Sequence, residues 1–216
     1  MVGRPILRGW SHAVAVGPAL IGAALLVVSL RGDSIKQLAL LVYGATLVAL
    51  FVVSAAYHLH PWSPERRATV RRIDRAAIFV VIAGTYTPIV VTVLSGPNRI
   101  AMISAIWVLA ISGVVLVIGR IPVRPIFLTG LYLTLGWFSV IIMPLVVERV
   151  GWGGFAILVA GGVFYSLGAL VYALKRPRLW PAVFSYHEVF HLLVIAASAC
   201  FFLFMVENVV PLHPVQ

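Results

Sequence analysis

Apolar runs of about 20 residues recur along this chain, and a run of that length is what a helix needs to cross a bilayer. The hydrocarbon core is roughly 30 Å thick, and a helix rises about 1.5 Å per residue. We predict seven transmembrane helices, over residues 12–30, 37–58, 76–95, 100–119, 126–147, 153–174 and 187–207. The pattern therefore predicts an all-α bundle of seven transmembrane helices that forms one domain over residues 1–216.

The composition of the chain supports a lipid environment. Hydrophobic residues make up 62% of it and charged residues 10%, whereas soluble domains carry about 25% charged residues. The single cysteine, Cys200, excludes an internal disulfide. The first apolar run is too long for a signal-peptide core and lacks a small-x-small cleavage motif, so we expect it to be retained as a helix.

The placement of lysine and arginine predicts the orientation of the bundle. If seven helices alternate, 12 of the 16 Lys and Arg residues fall on the side of the N-terminus and 4 on the other side. Positive residues concentrate on the cytoplasmic side of membrane proteins. We therefore expect a multi-pass protein of the inner (plasma) membrane, with its N-terminus in the cytoplasm and its C-terminus outside.

The net charge of +10 is explained by this topology signal. We expect no nucleic-acid partner, because the sequence contains no folded basic domain that would present one. The second connector, a cytoplasmic loop from Arg66 to Arg75, carries five arginines. Such a cluster also suits the anionic headgroups of membrane lipids.

An H-E-x-x-H motif, residues 187–191, opens the last apolar run. In soluble zinc proteases this motif holds the metal with its two histidines and activates water with its glutamate. A local third ligand is not available, because Glu207 lies about 24 Å farther along the helix, across the membrane. His58 is the better third ligand. We interpret Glu188 as an acid that favours the helix N-terminus, rather than as a general base.

Ionisable groups from three helices are predicted to meet at one depth. His58 ends the second helix, Asp74 opens the third, and His187 and His191 open the seventh. Ionisable groups at membrane depth are costly and commonly functional. A single histidine at a helix end is more simply an interfacial residue, and we interpret His12 in that way. The convergence of the other four groups favours a site.

The residue types in this cluster suit zinc. His187 and His191 are four residues apart and so project from one helix face. With His58 they give three imidazole ligands, which leave a fourth position for water, as in catalytic zinc sites. Zinc lowers the pKa of such a water to about 7. Asp74 could accept the proton of that water, and Ser54, one turn before His58, could hydrogen-bond the water or Asp74.

Three strings of the sequence resemble the hemolysin III family, the bacterial branch of the progestin and adiponectin receptor-like (PAQR) membrane proteins. They are SAAYH, RRIDRAAIFVVIAGTYTP and SYHEVFHLLVIAAS, at residues 54–58, 71–88 and 185–198. The resemblance implies a seven-helix bundle with a zinc ion near its cytoplasmic side. The family positions fall on residues of this chain as follows: the zinc ligands on His58, His187 and His191, the aspartate on Asp74 and the serine on Ser54.

Three classes of function are compatible with these features. The first is a zinc-dependent hydrolase of a membrane lipid. The resemblance implies a ceramide-like amide as its substrate and a role in membrane-lipid homeostasis, by analogy with relatives. The second is a non-catalytic sensor of membrane state with structural zinc, and the third is a pore-forming cytolysin. An intramembrane zinc protease is less favoured, because no later span contains an aspartate ligand. We expect the first class.

Overall fold

The computed structural model describes residues 5–30, 33–180 and 182–212, and the regular elements in those ranges are all helical. The helices are α1 (Trp10–Val28), α2 (Ser34–Leu59), α3 (Pro64–Val93), α4 (Gly96–Ile118), α5 (Pro125–Trp137), α6 (Met143–Leu174) and α7 (Tyr186–Phe204). A 3₁₀ turn, Phe138–Ile142, joins α5 to α6, and a π-helical turn, Met205–Val209, extends α7. The all-α prediction is confirmed.

Six helical stretches of the described chain are long and apolar enough to cross a membrane. They are α1, α2, α3, α4, the continuous stretch Pro125–Leu174, and α7 with its π-helical turn. Large apolar side chains point outward from the bundle, including Val14 at 71% exposure and Trp152 at 74%. Apolar surface on this scale requires lipid around it, so the chain is a membrane protein.

α3 is the central helix of the bundle. In its most apolar window 72% of the residues are buried, against 22% in α1. Its side chains Phe79, Ala83 and Val90 are almost fully enclosed. Its central position lets one face of α3 form a wall of the interior cavity described below.

α3 begins at Pro64, well before the predicted span at 76. Ser63 caps the helix by accepting a hydrogen bond from the Arg66 amide, and proline is tolerated in a first turn because its missing N–H would be unbonded there anyway. Arginine is a good helix former, so the helix continues through the basic segment. The prediction of a loop from Arg66 to Arg75 was therefore wrong, since this segment forms the first turns of α3.

The stretch from 125 to 174 forms one run of α-helix and 3₁₀ turn, with a kink inside the connector that was predicted at 148–152. It is broken at Gly151, whose φ of 71° and ψ of 177° are not helical and are accessible mainly to glycine. The 3₁₀ turn that follows α5 is held by Tyr86. The Tyr86 hydroxyl accepts a hydrogen bond from the Ser139 amide at 2.6 Å and donates one to the Gly136 carbonyl at 2.7 Å.

Two contacts show how this stretch is placed. Near its beginning, the Tyr132 hydroxyl of α5 donates to the Arg75 carbonyl at 2.9 Å. Near its end, the ring of Tyr172 lies 5.7 Å from the ring of His187. Arg75 and His187 both line one cavity at the end of the bundle where α7 begins. The stretch therefore begins and finishes at the same end of the bundle.

Candidate metal centre

Three histidines from two helices meet at this end of the bundle. His58 lies in the last turn of α2, and His187 and His191 lie in the first turns of α7. The Nε2 atoms of His58 and His187 are 3.1 Å apart, and one ring nitrogen from each histidine lies within 4.8 Å of the others. The structure thus brings together the three rings that the sequence placed at a common depth, and they could hold a metal ion.

The spacing and the donors suit a tetrahedral ion. Imidazole ligands bind zinc at about 2.0–2.1 Å, which separates two nitrogens of a tetrahedral site by about 3.3 Å. The His58–His187 distance of 3.1 Å is close to that value. His191 is 2% exposed, and its Nδ1 atom has no hydrogen-bond partner in the described part of the chain. A buried nitrogen without a hydrogen-bond partner costs free energy of folding unless it binds a ligand or a metal ion.

Ser185 and Glu188 fix the point at which α7 begins. They form a capping box, in which the Glu188 carboxylate accepts a hydrogen bond from the Ser185 amide at 2.7 Å. The other carboxylate oxygen of Glu188 accepts a hydrogen bond from Arg8 at 3.0 Å, and the side chain is 3% exposed. Both oxygens of Glu188 are therefore engaged in structural contacts, which supports its interpretation as a helix-start acid.

Asp74 and Ser54 line the same cavity as the three histidines. The Ser54 side chain lies close enough to the Asp74 carboxylate to interact with it. Ser54 is buried on α2, one turn before His58. α2 thus supplies both a ring of the cluster and the partner of the carboxylate, which comes from α3.

His12 is the residue that the sequence interpretation misplaced. It was expected at the level of the lipid headgroups, but it is 3% exposed. Its ring stacks on His191, with centroids 3.9 Å apart and planes 10° apart, and its centroid lies 5.1 Å from that of Phe51. A sequence signal existed, because the predicted topology puts His12 at the same side of the membrane as the cluster.

The N-terminal strap, residues 5–9, packs against this end of the bundle. Its backbone donates two hydrogen bonds to the loop before α7, from Ile6 to Ala182 at 3.1 Å and from Leu7 to Val183 at 3.3 Å. Gly9 lies directly against His58, so that a Cβ on Gly9 would be 2.5 Å from the His58 Cβ. The strap therefore contacts both α7's entry loop and one of the three histidines.

A cavity of about 410 Å³ opens beside the histidines. Its rim is polar and carries arginines such as Arg8 and Arg71, whereas its interior is lined by apolar side chains such as Ile82, Ile89 and Leu133. Its volume lies in the range of about 300–1,000 Å³ that is usual for small-molecule sites. An amphiphile could place its polar group near the histidines and its chain in the interior.

Comparison with known proteins identifies the family. Residues 2–202 match the family model described as "Haemolysin-III related". The chain is 32% identical to Hemolysin-3 of Bacillus cereus over 195 residues, which cover 90% of this chain and 85% of that protein. It is 29% identical to the human monocyte to macrophage differentiation factor over 194 residues, 88% of this chain and 78% of that protein.

A more distant similarity extends to the adiponectin receptor protein of Drosophila melanogaster. The identity is 28% over 210 residues, which cover 88% of this chain and 47% of that protein. These matches agree with the resemblance found in the sequence motifs. The chain belongs to the hemolysin III family, the bacterial branch of the PAQR membrane proteins.

Proposed function

We propose that this protein is a zinc-dependent hydrolase of a membrane lipid amide, such as a ceramide-like molecule, and that it serves membrane-lipid homeostasis. The observation that carries the proposal is that three histidines and the Asp74–Ser54 pair face one cavity with an apolar interior. Zinc bound by His58, His187 and His191 would supply Lewis-acid chemistry and an activated water near neutral pH.

The residues of the chain divide the remaining tasks. Asp74 accepts a proton from the attacking water at its carboxylate and later returns it to the amine that leaves. Ser54 lies beside that carboxylate, and a hydrogen bond from its hydroxyl would fix the orientation of the carboxylate. The apolar interior of the cavity binds the acyl chain and keeps bulk water away from it. The products are a fatty acid and an amine, formed by addition of one water across the amide.

An assay on the purified protein tests this function. We expect the zinc-loaded protein to release fatty acid from a fluorescent ceramide in detergent micelles. Chelation should remove the activity and added zinc should restore it. A protein that keeps about one zinc per chain but releases no fatty acid from several amide lipids would contradict the proposal.

A non-catalytic sensor of membrane state is the second candidate. It is favoured by one observation, namely that the histidines belong to two different helices, α2 and α7. An ion held there would link these helices whether or not it catalyses a reaction. The failed assay described above would move this candidate to first place.

A pore-forming cytolysin is the third candidate, and it is suggested by the name of the Bacillus cereus relative, Hemolysin-3. Leakage of a dye from liposomes tests it directly. If the chain is a hydrolase or a sensor, adding the purified protein should release no dye.

We further propose that the chain crosses the inner (plasma) membrane seven times. The stretch Pro125–Leu174 has 50 residues and would measure about 75 Å as a straight helix, more than twice the hydrocarbon core. Two crossings with a turn near Gly151 agree with its two ends, which lie at the same end of the bundle. The distribution of the Lys and Arg residues, 12 of 16 of which fall on the side of the N-terminus if seven helices alternate, supports a cytoplasmic N-terminus and an external C-terminus.

A further inference from the structure

One face of α3 changes from cationic to apolar along the wall of the cavity. Arg67, Arg71 and Arg75 follow one another at intervals of four residues and line its rim. Farther along the helix the same face carries Ile82 and Ile89, which line the interior. At 3.6 residues per turn, these five side chains fall within about 80° of the helix circumference. A single helix face therefore presents a charged end and an apolar end to one cavity.

The charge of these arginines is only partly compensated. Arg8, a fourth arginine at the rim, is paired with Glu188. Arg67, Arg71 and Arg75 form no salt bridge with a carboxylate in the described ranges of the chain. Asp74 offsets part of the charge of Arg75, and the guanidinium of Arg67 lies 5.1 Å from the centroid of the Tyr57 ring, which does not neutralise it. The rim thus keeps an excess of positive charge.

We propose that this face of α3 binds an anionic lipid, with its phosphate at Arg67, Arg71 and Arg75 and an acyl chain along Ile82 and Ile89. Guanidinium groups match phosphate oxygens in geometry as well as charge. The distance from Arg75 to Ile89 along the helix is about 21 Å, which exceeds one leaflet of about 15 Å. A long chain can therefore follow the helix while its phosphate remains at the rim.

The charged end and the apolar end of this face of α3 are continuous, and this favours a lipid over a free anion. A site for inorganic phosphate alone would gain nothing from the apolar wall below it, whereas an amphiphile gains binding free energy in proportion to the apolar surface that it buries there. The proposal concerns binding. It goes beyond the proposed hydrolysis and does not depend on it.

Neighbouring arginines supply matched controls. Arg72 and Arg66 lie in the same segment of α3 but do not line this cavity, since Arg72 contacts the Thr69 hydroxyl and Arg66 lines a separate surface depression. Replacing either of them by glutamine removes the same charge as Arg71→Gln at nearly the same depth. A diffuse attraction of anionic lipid to a basic surface would respond equally to all these changes.

The experiment measures lipid binding to the purified chain in phosphatidylcholine nanodiscs. A spin-labelled phosphatidic acid and a spin-labelled phosphatidylcholine report the preference for the anionic headgroup. We expect Arg71→Gln to lower this preference about tenfold or more, the effect of losing a hydrogen bond to a charged group. Arg71→Lys should lower the preference less, because lysine keeps the charge but lacks the planar guanidinium that donates two hydrogen bonds at once. Arg72→Gln and Arg66→Gln should change this preference less than about twofold, since each removes only one charge from a surface potential that salt already screens.

Two results would overturn the proposal. Equal losses in Arg71→Gln and Arg72→Gln would mean that the arginines act only as a surface field. Displacement of the labelled lipid by inorganic phosphate or glycerol phosphate at millimolar concentration would mean that the rim takes a free phosphate. Because the readout is binding, neither result bears on hydrolysis, and a failed hydrolysis assay leaves the binding result intact.

Discussion

His58 is the residue that decides whether the candidate metal centre spans two helices, because the other two candidate ligands are on α7. We expect His58→Ala to lower the zinc content of the purified protein well below about one per chain, since two imidazoles alone do not make a stable zinc site. His60→Ala is the matched control, because His60 is exposed and lies just beyond the end of α2. Metal analysis of both variants is the measurement. Full retention of zinc by His58→Ala would show that α7 holds the ion without α2.

The roles of Asp74 and Glu188 can be distinguished by replacing each carboxylate with its amide. Asp74→Asn removes the group that we propose as the proton acceptor, so we expect hydrolysis to fall about 10²–10⁴-fold while zinc stays bound. Glu188→Gln should keep its activity and lose about 1 kcal/mol of stability, because it weakens the capping box and the Arg8 pair. Rates, zinc content and thermal unfolding are measured together. An inactive Glu188→Gln beside an active Asp74→Asn would restore the protease-like interpretation of the H-E-x-x-H motif.

The residues of the candidate site were predictable where the sequence carried a local signal, such as a fixed spacing along one helix. The four-residue spacing of His187 and His191 places both rings on one helix face, and His58 followed from the alternation of the helices. The position of His12 did not follow, because its stacking on His191 depends on how α1 is rotated against α7. Neither periodicity nor charge specifies that rotation.

The N-terminal strap leads into α1 beside the candidate metal centre, where Gly9 lies against His58. Gly9 has a φ of 90°, and an added Cβ would lie 2.5 Å from the His58 Cβ. We expect Gly9→Ala to weaken zinc binding, because the strap and His58 cannot both keep their positions. Competition with a chelator measures the zinc affinity.

Gly96→Ala is the control for this change. Gly96 also has a positive φ, 53°, but nothing lies within 4 Å of its added Cβ. Both variants should lose about 1 kcal/mol of stability from the left-handed backbone, and only Gly9→Ala should lose zinc affinity. Equal losses of zinc affinity would mean that general destabilisation of the fold, and not the strap, is responsible.

Helix boundaries show why hydropathy alone was insufficient for the elements. The apolar run at 76–95 marks the membrane-buried part of α3, but the helix starts where Ser63 and Pro64 provide a cap. That signal was present in the sequence and precedes the apolar run. The change from α5 to a 3₁₀ turn was not predictable locally, because it is held by a hydroxyl on another helix, that of Tyr86.

A substitution of Tyr86 therefore tests whether its hydroxyl holds the 3₁₀ turn after α5. Tyr86→Phe leaves the Ser139 amide and the Gly136 carbonyl without their partner, and we expect a loss of about 1–3 kcal/mol of stability. Tyr132→Phe is the comparison, because the Tyr132 hydroxyl donates one hydrogen bond, to a carbonyl, and its loss should be smaller. Thermal unfolding in detergent measures both. Similar stability of the two variants would show that the Tyr86 hydroxyl does not hold the turn.

At the scale of the whole molecule, the class of fold was predictable because one physical constraint dominates it. Backbone polar groups in lipid must be paired within the segment, so a chain with this many apolar runs has to form a helical bundle. The number of crossings was harder to predict. Residues 125–174 form one of the six apolar helical stretches in the described chain, although this stretch is long enough for two crossings. The interval 148–152, between the two spans predicted there, contains Gly151, whose backbone is not helical and where we propose that the chain turns back.

Cysteine labelling distinguishes seven crossings from six. Ile121 precedes the stretch 125–174 and Arg178 follows it, and both are exposed. Two crossings by this stretch return Arg178 to the side of Ile121, whereas one crossing separates them. In a Cys200→Ser background, we expect a reagent that cannot cross the inner membrane to leave Ile121→Cys and Arg178→Cys unlabelled in intact cells. Asn98→Cys, in the first turn of α4, should be labelled, and permeabilised cells should label all three.

The pattern of labelling also fixes the side of the metal centre. Arg178 lies in the loop that leads into α7, so it shares a side with the start of the helix that carries His187 and His191. Labelling of Arg178→Cys but not Ile121→Cys would reduce the crossings to six and put this loop outside, where the arginine distribution opposes it. Labelling of both, with Asn98→Cys protected, would keep seven crossings but reverse the orientation. The cavity rim and its arginines would then face the outer leaflet, where anionic lipid is scarcer than in the cytoplasmic leaflet.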